Sequence, residues 1–269
     1  MLPAFLLALR EGLEAALIIG IVLGALRKIN RHDLKPALWA GVISAVVVSL
    51  LVGGLLTALG MSLEGKVEEI FEGFTMVLAA GILTWMVFWM NRQGRYMRAE
   101  MENKIQIAAA DGSRKRALFG LAFLAVVREG IELALFLAAA GFVGQAGQTL
   151  VGGLLGLAAA IVLGWMLLSA TLRLNLRRFF QVTGVLLIFF AAGLLAYGVH
   201  EFNEAGWIPA IIEHLWDINP ILDENSTFGT ILKALFGYNG NPSLTEVLAY
   251  VTYFAAILLG LKRQNKRLA

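Results

Sequence analysis

Residues 8–17 read ALREGLEAAL, and residues 126–135 read VVREGIELAL. Each stretch sets one arginine and two glutamates inside an apolar run long enough to cross a bilayer. At mid-span each such charge costs roughly 2.5–3.5 kcal/mol on insertion scales, so six of them cost on the order of 15–20 kcal/mol before compensation. Ionisable residues kept against that cost normally face the protein interior and mark a pathway.

The composition around the two stretches agrees with a membrane setting. The 269 residues are 59% hydrophobic and only 15% charged, and the mean hydropathy is +0.76, far from the balance of a soluble domain. There is no Cys, which excludes disulfides, iron–sulfur clusters and thiolate metal sites. The three histidines, His32, His200 and His214, are too scattered for a haem or zinc cluster. Metal chemistry here must therefore rest mainly on oxygen ligands. The net charge of +3 does not point to nucleic acid, because the basic residues fall in short loops between spans, where they read as topology signals.

A hydrocarbon core needs about 20 apolar residues per helix, and that length picks out seven segments: Leu2–Leu26, Ala37–Leu59, Val67–Met90, Ala117–Phe142, Leu150–Leu172, Phe179–Val199 and Leu244–Leu261. The apolar run continues well past the first charged motif, which argues against a cleavable signal peptide. Lys and Arg cluster in the loops at Arg27–Lys35, Arg92–Arg116, Arg173–Arg178 and Lys262–Arg267, against Lys66 and Lys233 on the other side. The positive-inside rule then puts the N-terminus outside and the C-terminus in the cytoplasm, which seven spans satisfy. Acidic residues are biased to the outer side, which should attract cations.

Laid side by side, the spans repeat. Arg10-Glu11-Gly12-Leu13-Glu14 recurs as Arg128-Glu129-Gly130-Ile131-Glu132, and Ala79-Ala80-Gly81 recurs as Ala191-Ala192-Gly193. Spans one to three thus match spans four to six, and three spans per half make the second copy inverted, an arrangement common in secondary transporters. The expectation is an all-α polytopic membrane protein: one transmembrane domain over 1–269, with repeat one at about 2–90 and repeat two at about 117–199. An outer loop at about 200–243 and a seventh span at about 244–261 complete it.

Helical spacing arranges the charges. Glu11 and Glu14 share a face, as do Glu129 and Glu132, while Arg10 can pair with Glu14 and Arg128 with Glu132 along their helices. If the motifs face each other, four carboxylates are offset by two guanidinium groups, an anionic all-oxygen set suited to hard cations such as Fe³⁺, Mn²⁺, Mg²⁺ or Ca²⁺. The plainer reading, salt bridges that only fasten helices, leaves one surplus carboxylate per motif. A second acidic cluster, Glu68, Glu69 and Glu72, stands at the outer mouth of span three. It would either strip water from an arriving ion or simply favour the helix dipole. The second repeat has Gln181 and Gly184 where the first has Glu69 and Glu72. The outer stretch HEFNEAGWIPAIIEHLWDINP, from residue 200, reads as an amphipathic interfacial helix, and His200, Glu201 and Glu204 could alternatively capture metal from a donor. The loop Asn91–Arg116 reads as a solvated connector, Asn225-Ser226-Thr227 as a weak glycosylation match, and the tryptophans mostly as an aromatic belt.

Paired Arg-Glu-Gly-x-Glu motifs in the first and fourth of seven spans resemble the high-affinity iron permease family, which includes oxidase-dependent fungal permeases and bacterial ferrous iron permeases of the EfeU type. The resemblance extends over the whole chain. It implies iron import, as Fe²⁺ or Fe³⁺, across the cytoplasmic membrane, here the bacterial inner membrane, with no permanently bound cofactor and no nucleic acid. It also implies an extracytoplasmic oxidase or iron-binding partner, with Glu11, Glu14, Glu129 and Glu132 handling the metal and Arg10 and Arg128 supporting them. Ligand type alone leaves open another hard divalent cation such as Mn²⁺. A membrane-embedded metal-dependent enzyme fits less well, since no His or Cys lies near either motif.

Overall fold

The structure, a computed structural model, describes residues 1–93, 114–169, 175–224 and 226–268. Most of the connector expected at Asn91–Arg116, and Asn225 of the glycosylation match, lie outside the described residues. The chain forms α1 (Leu2–Lys28), a short 3₁₀ turn (His32–Leu34), α2 (Lys35–Ser62), α3 (Lys66–Gln93), α4 (Arg114–Val143), α5 (Ala146–Leu168), α6 (Leu176–Glu204), α7 (Thr227–Phe236) and α8 (Leu244–Leu268). No strand occurs among the described residues. Among the described residues, five helices, α2, α3, α5, α6 and α8, are long and apolar enough to cross a membrane. The other two long helices, α1 with 27 residues and α4 with 30, are those that carry the Arg-Glu-Gly charges.

Three pairings organise the bundle: α1 packs on α5, α2 on α4, and α3 on α6. Lipid tails are as apolar as leucine, so helices in a membrane associate through close packing of small residues rather than through hydrophobic exclusion. α2 supplies Gly41, Ala45, Ser49 and Gly53 at four-residue spacing, and α5 supplies Gly152, Gly156, Ala160 and Gly164. These stripes meet the motif helices directly. A Cβ built on Gly41 would strike the Phe119 carbonyl oxygen, and one on Gly152 would strike that of Met1. Gly12 faces Ala160, and Gly130 faces Ser49. Met76, Leu83 and Met86 of α3, Phe136 of α4 and Ala191 of α6 fill the centre between the pairs.

The outer segment departs from the sequence reading. α6 does not end at Val199 but continues to Glu204, so His200, Glu201 and Glu204 belong to its last turns rather than to a loop. The amphipathic helix expected through Trp207–Trp216 does not form. Gly206 at φ 75° and Ile211 at φ 62° break the backbone, Pro209 and Pro220 withhold donors, and the chain stays irregular until Ser226 caps α7 through its hydroxyl. α7 then enters the bundle. It ends in a left-handed cap at Gly237, whose backbone touches Gly193 of α6. Gly193 precedes Glu204 on α6 by a rise of about 16 Å. Phe236 packs on Phe189 at 5.4 Å, and the Tyr197 hydroxyl donates to the Tyr238 carbonyl at 2.8 Å.

Gly41→Leu and Gly152→Leu should each destabilise the bundle, by about 1–3 kcal/mol as overpacking does, whereas Gly54→Leu, where a Cβ meets nothing within 4 Å, should not. Thermal unfolding in detergent would measure the three side by side.

Candidate metal centre

The two motifs face each other. α1 brings Glu11 and Glu14, α4 brings Glu129, and one carboxylate oxygen from each lies within 4.8 Å of the others. Glu11 is 1% exposed and Glu129 5%. Both oxygens of Glu11, Oε1 of Glu14 and Oε2 of Glu129 are buried without a hydrogen-bond partner among the described residues. Buried carboxylate oxygens left in that condition are costly, and a bound cation is one way to offset the cost.

The arginines hold the cluster unequally. Arg10 is fully buried, with Nη1 3.6 Å from Glu11 Oε1 and Nη2 3.4 Å from Glu14 Oε1. The same Nη1 donates to Met86 Sδ of α3 at 3.4 Å. The Arg128 side chain is 36% exposed; its Nε donates to Glu132 Oε1 at 3.0 Å and stands 4.0 Å from Glu129 Oε1. Its guanidinium lies over Trp85 and Trp89, 5.6 and 4.8 Å from the ring centroids. Glu132 is therefore occupied by Arg128 on one oxygen, while its Oε2 is buried without a partner among the described residues. It stands beside the three-carboxylate group rather than in it.

The other sequence candidates gather at one end of the bundle, where the N-terminus of α3 meets the C-terminus of α6. Gly73 packs against Phe202 and Gly198, and Phe74 meets Phe202 at 5.2 Å. Glu201 feels the charges of Glu72, Glu204 and Glu69, and Glu68 acts on Glu72. His200 is engaged on both nitrogens, Nδ1 at 3.0 Å from Glu246 Oε1 and Nε2 at 3.2 Å from Glu204 Oε1. Glu246 is itself fixed: Ser243 N–H donates to its Oε1, Asn239 Nδ2 donates to its Oε2, and the Glu246 amide donates back to Ser243 Oγ. That reciprocal pair is a capping box at the start of α8.

Several of these residues escaped the sequence reading. Ser243-x-x-Glu246 was visible as a capping pattern, and Trp85 with Trp89 as an aromatic pair on one helix face. Met86 carried no signal of its own, because nothing in the sequence brings α3 to Arg10.

Arg10→Met should cost more stability than Arg128→Met, on the order of 3–5 kcal/mol for breaking a fully buried pair, since the part-exposed Arg128 can be replaced in part by solvent. Paired melting curves would read the difference, and equal losses would contradict the inequality of the two sites.

The family whose description matches the chain, over residues 1–262, is the iron permease FTR1 family. The ferrous iron permease EfeU of Escherichia coli O6:K15:H31 (strain 536) is 38% identical over 261 residues, covering 96% of this chain and 94% of that protein. The ferrous iron permease EfeU of Yersinia pestis is 36% identical over 261 residues, covering 96% and 92%. No solved structure matches the chain.

Proposed function

The chain belongs to the iron permease FTR1 family, and on that premise we propose that it imports iron through the carboxylate cluster held between α1 and α4. It is a multi-pass membrane protein of iron transport, and its family and relatives are permeases, not enzymes. The observation that carries the site is the convergence of Glu11, Glu14 and Glu129 within 4.8 Å, with buried oxygens that accept no hydrogen bond among the described residues. An ion arriving there exchanges water for carboxylate oxygen, the exchange that hard cations favour. Glu132 serves as the next ligand, released from Arg128 as the ion advances. The arginines offset part of the negative charge, so that binding is strong enough to admit the ion and weak enough to let it leave.

Seven spans, an outward N-terminus and an inverted repeat complete this reading. In support, the repeat register that carries Arg10 onto Arg128 also carries Met1 onto Phe119, and these two carbonyls receive Gly152 and Gly41 respectively. The pairings α1 with α5 and α4 with α2 are then one contact seen twice. The acidic end formed by Glu68, Glu69, Glu72, Glu201 and Glu204 collects ions outside. His200 acts chiefly as a tie between α6 and α8. The chain sits in a bacterial inner membrane and receives iron from an extracytoplasmic oxidase or iron-binding partner.

Glu14→Gln and Glu129→Gln should each abolish uptake of radiolabelled iron into membrane vesicles while leaving the melting temperature close to that of the unsubstituted protein. Iron uptake that persists in both variants would refute the site. Uptake of Mn²⁺ at the same rate as iron would move the substrate to hard divalent cations in general.

A further inference from the structure

Among the described residues, α7 has no counterpart in the other repeat. It packs against α6, α1 and, to a lesser extent, α4. In the register of the repeat, α1 and α6 correspond to α4 and α3. The crevice between α4 and α3 holds Arg128, 36% exposed, over the rings of Trp85 and Trp89. The corresponding place beside α1 and α6 is occupied by α7, and Arg10 is 0% exposed. The Ala-Ala-Gly match that carries Ala79 onto Ala191 carries Trp85 onto Tyr197. Lys233 of α7 lies over that ring, its Nζ 5.2 Å from the centroid. Each half thus offers an aromatic ring of its third helix to a cation, Arg128 in one half and Lys233 in the other.

We propose that α7 closes the outer route to the carboxylates and that Lys233 is the latch of that closure, a tethered positive charge that an incoming ion must displace from the face of Tyr197. The proposal rests on the carboxylate cluster being the ion site. The depth of α7 supports it. Gly237 seats on Gly193, the Tyr238 hydroxyl donates to the Leu222 carbonyl at 2.7 Å, and irregular backbone at such depth persists only when it is buried in protein or lines a water path. A lysine carried that far in, on a ring rather than on a carboxylate, is costly unless it is used. Its displacement costs ions of one charge the same, so it slows the entry of each by one factor and leaves the choice among them to the carboxylates.

The chain has no cysteine, so Lys233→Cys creates a single thiol that reagents of either charge can modify. In right-side-out vesicles, Lys233→Cys should raise the rates of iron and Mn²⁺ uptake alike by about fivefold or more, the scale of removing one nearby charge. A cationic methanethiosulfonate should return both rates to those of the unsubstituted protein, and an anionic one should not. Unchanged rates in Lys233→Cys, equal effects of the two reagents, or a loss of all uptake that the cationic reagent does not restore would overturn the proposal. Glu14→Gln and Glu129→Gln, run in parallel, separate the two levels: iron uptake surviving in both variants would bring down the carboxylate site itself, and the gate with it.

Discussion

A guanidinium between two carboxylates, all three sealed from water, is the constraint to which the rest of the bundle answers. Arg10 with Glu11 and Glu14 would be prohibitively expensive on a lone helix in lipid. It becomes tolerable only where other helices wall it off and supply further partners. α3 contributes the Met86 sulfur to Arg10, while α4 adds a third carboxylate, Glu129, to the cluster. The second motif is under less pressure, since Arg128 keeps part of its surface exposed and rests on two indole rings. The same five-residue pattern therefore performs two different electrostatic tasks, and the difference comes from what packs over it rather than from the motif.

Close packing makes that enclosure attainable. Small side chains at four-residue spacing on α2 and α5 let the backbones of α4 and α1 approach until carbonyl oxygens fill the space a methyl would need. Both motif glycines lie in these seams, Gly12 against Ala160 and Gly130 against Ser49. Dispersion gained along the seams offsets part of the cost of the charges beside them.

The long apolar helices and the carboxylate site were legible in the sequence because their physics is local. Twenty apolar residues fix a helix in lipid, and Glu11 with Glu14 share a face whatever surrounds them. The facing of the two motifs was only a condition in the sequence, and the structure meets it at Glu11, Glu14 and Glu129. What the sequence concealed depends on contacts between distant segments or on competition between weak local signals. Trp207–Trp216 has amphipathic composition, yet Pro209 and the left-handed Ile211 prevent a helix there, and the short helix forms beyond them at Thr227–Phe236. The descent of α7 into the bundle was not visible either, since it depends on Gly193 meeting Gly237 across forty-odd residues of chain. The stripes of Gly41 and Gly152 were present in plain view, but small residues in an apolar helix announce a seam only once its partner is known.

The crossed pairing of helices also has a consequence for biosynthesis. α1 completes its seam with α5, not with its neighbours in sequence, so the first charged motif leaves the ribosome long before its packing partner exists. At ordinary elongation rates the chain between Lys28 and Ala146 takes on the order of ten seconds to synthesise. During that interval Arg10, Glu11 and Glu14 must wait in the translocon, at the interface or against a helper protein, because lipid will not accept them. The order of translation thus makes the second half of the chain a chaperone for the first.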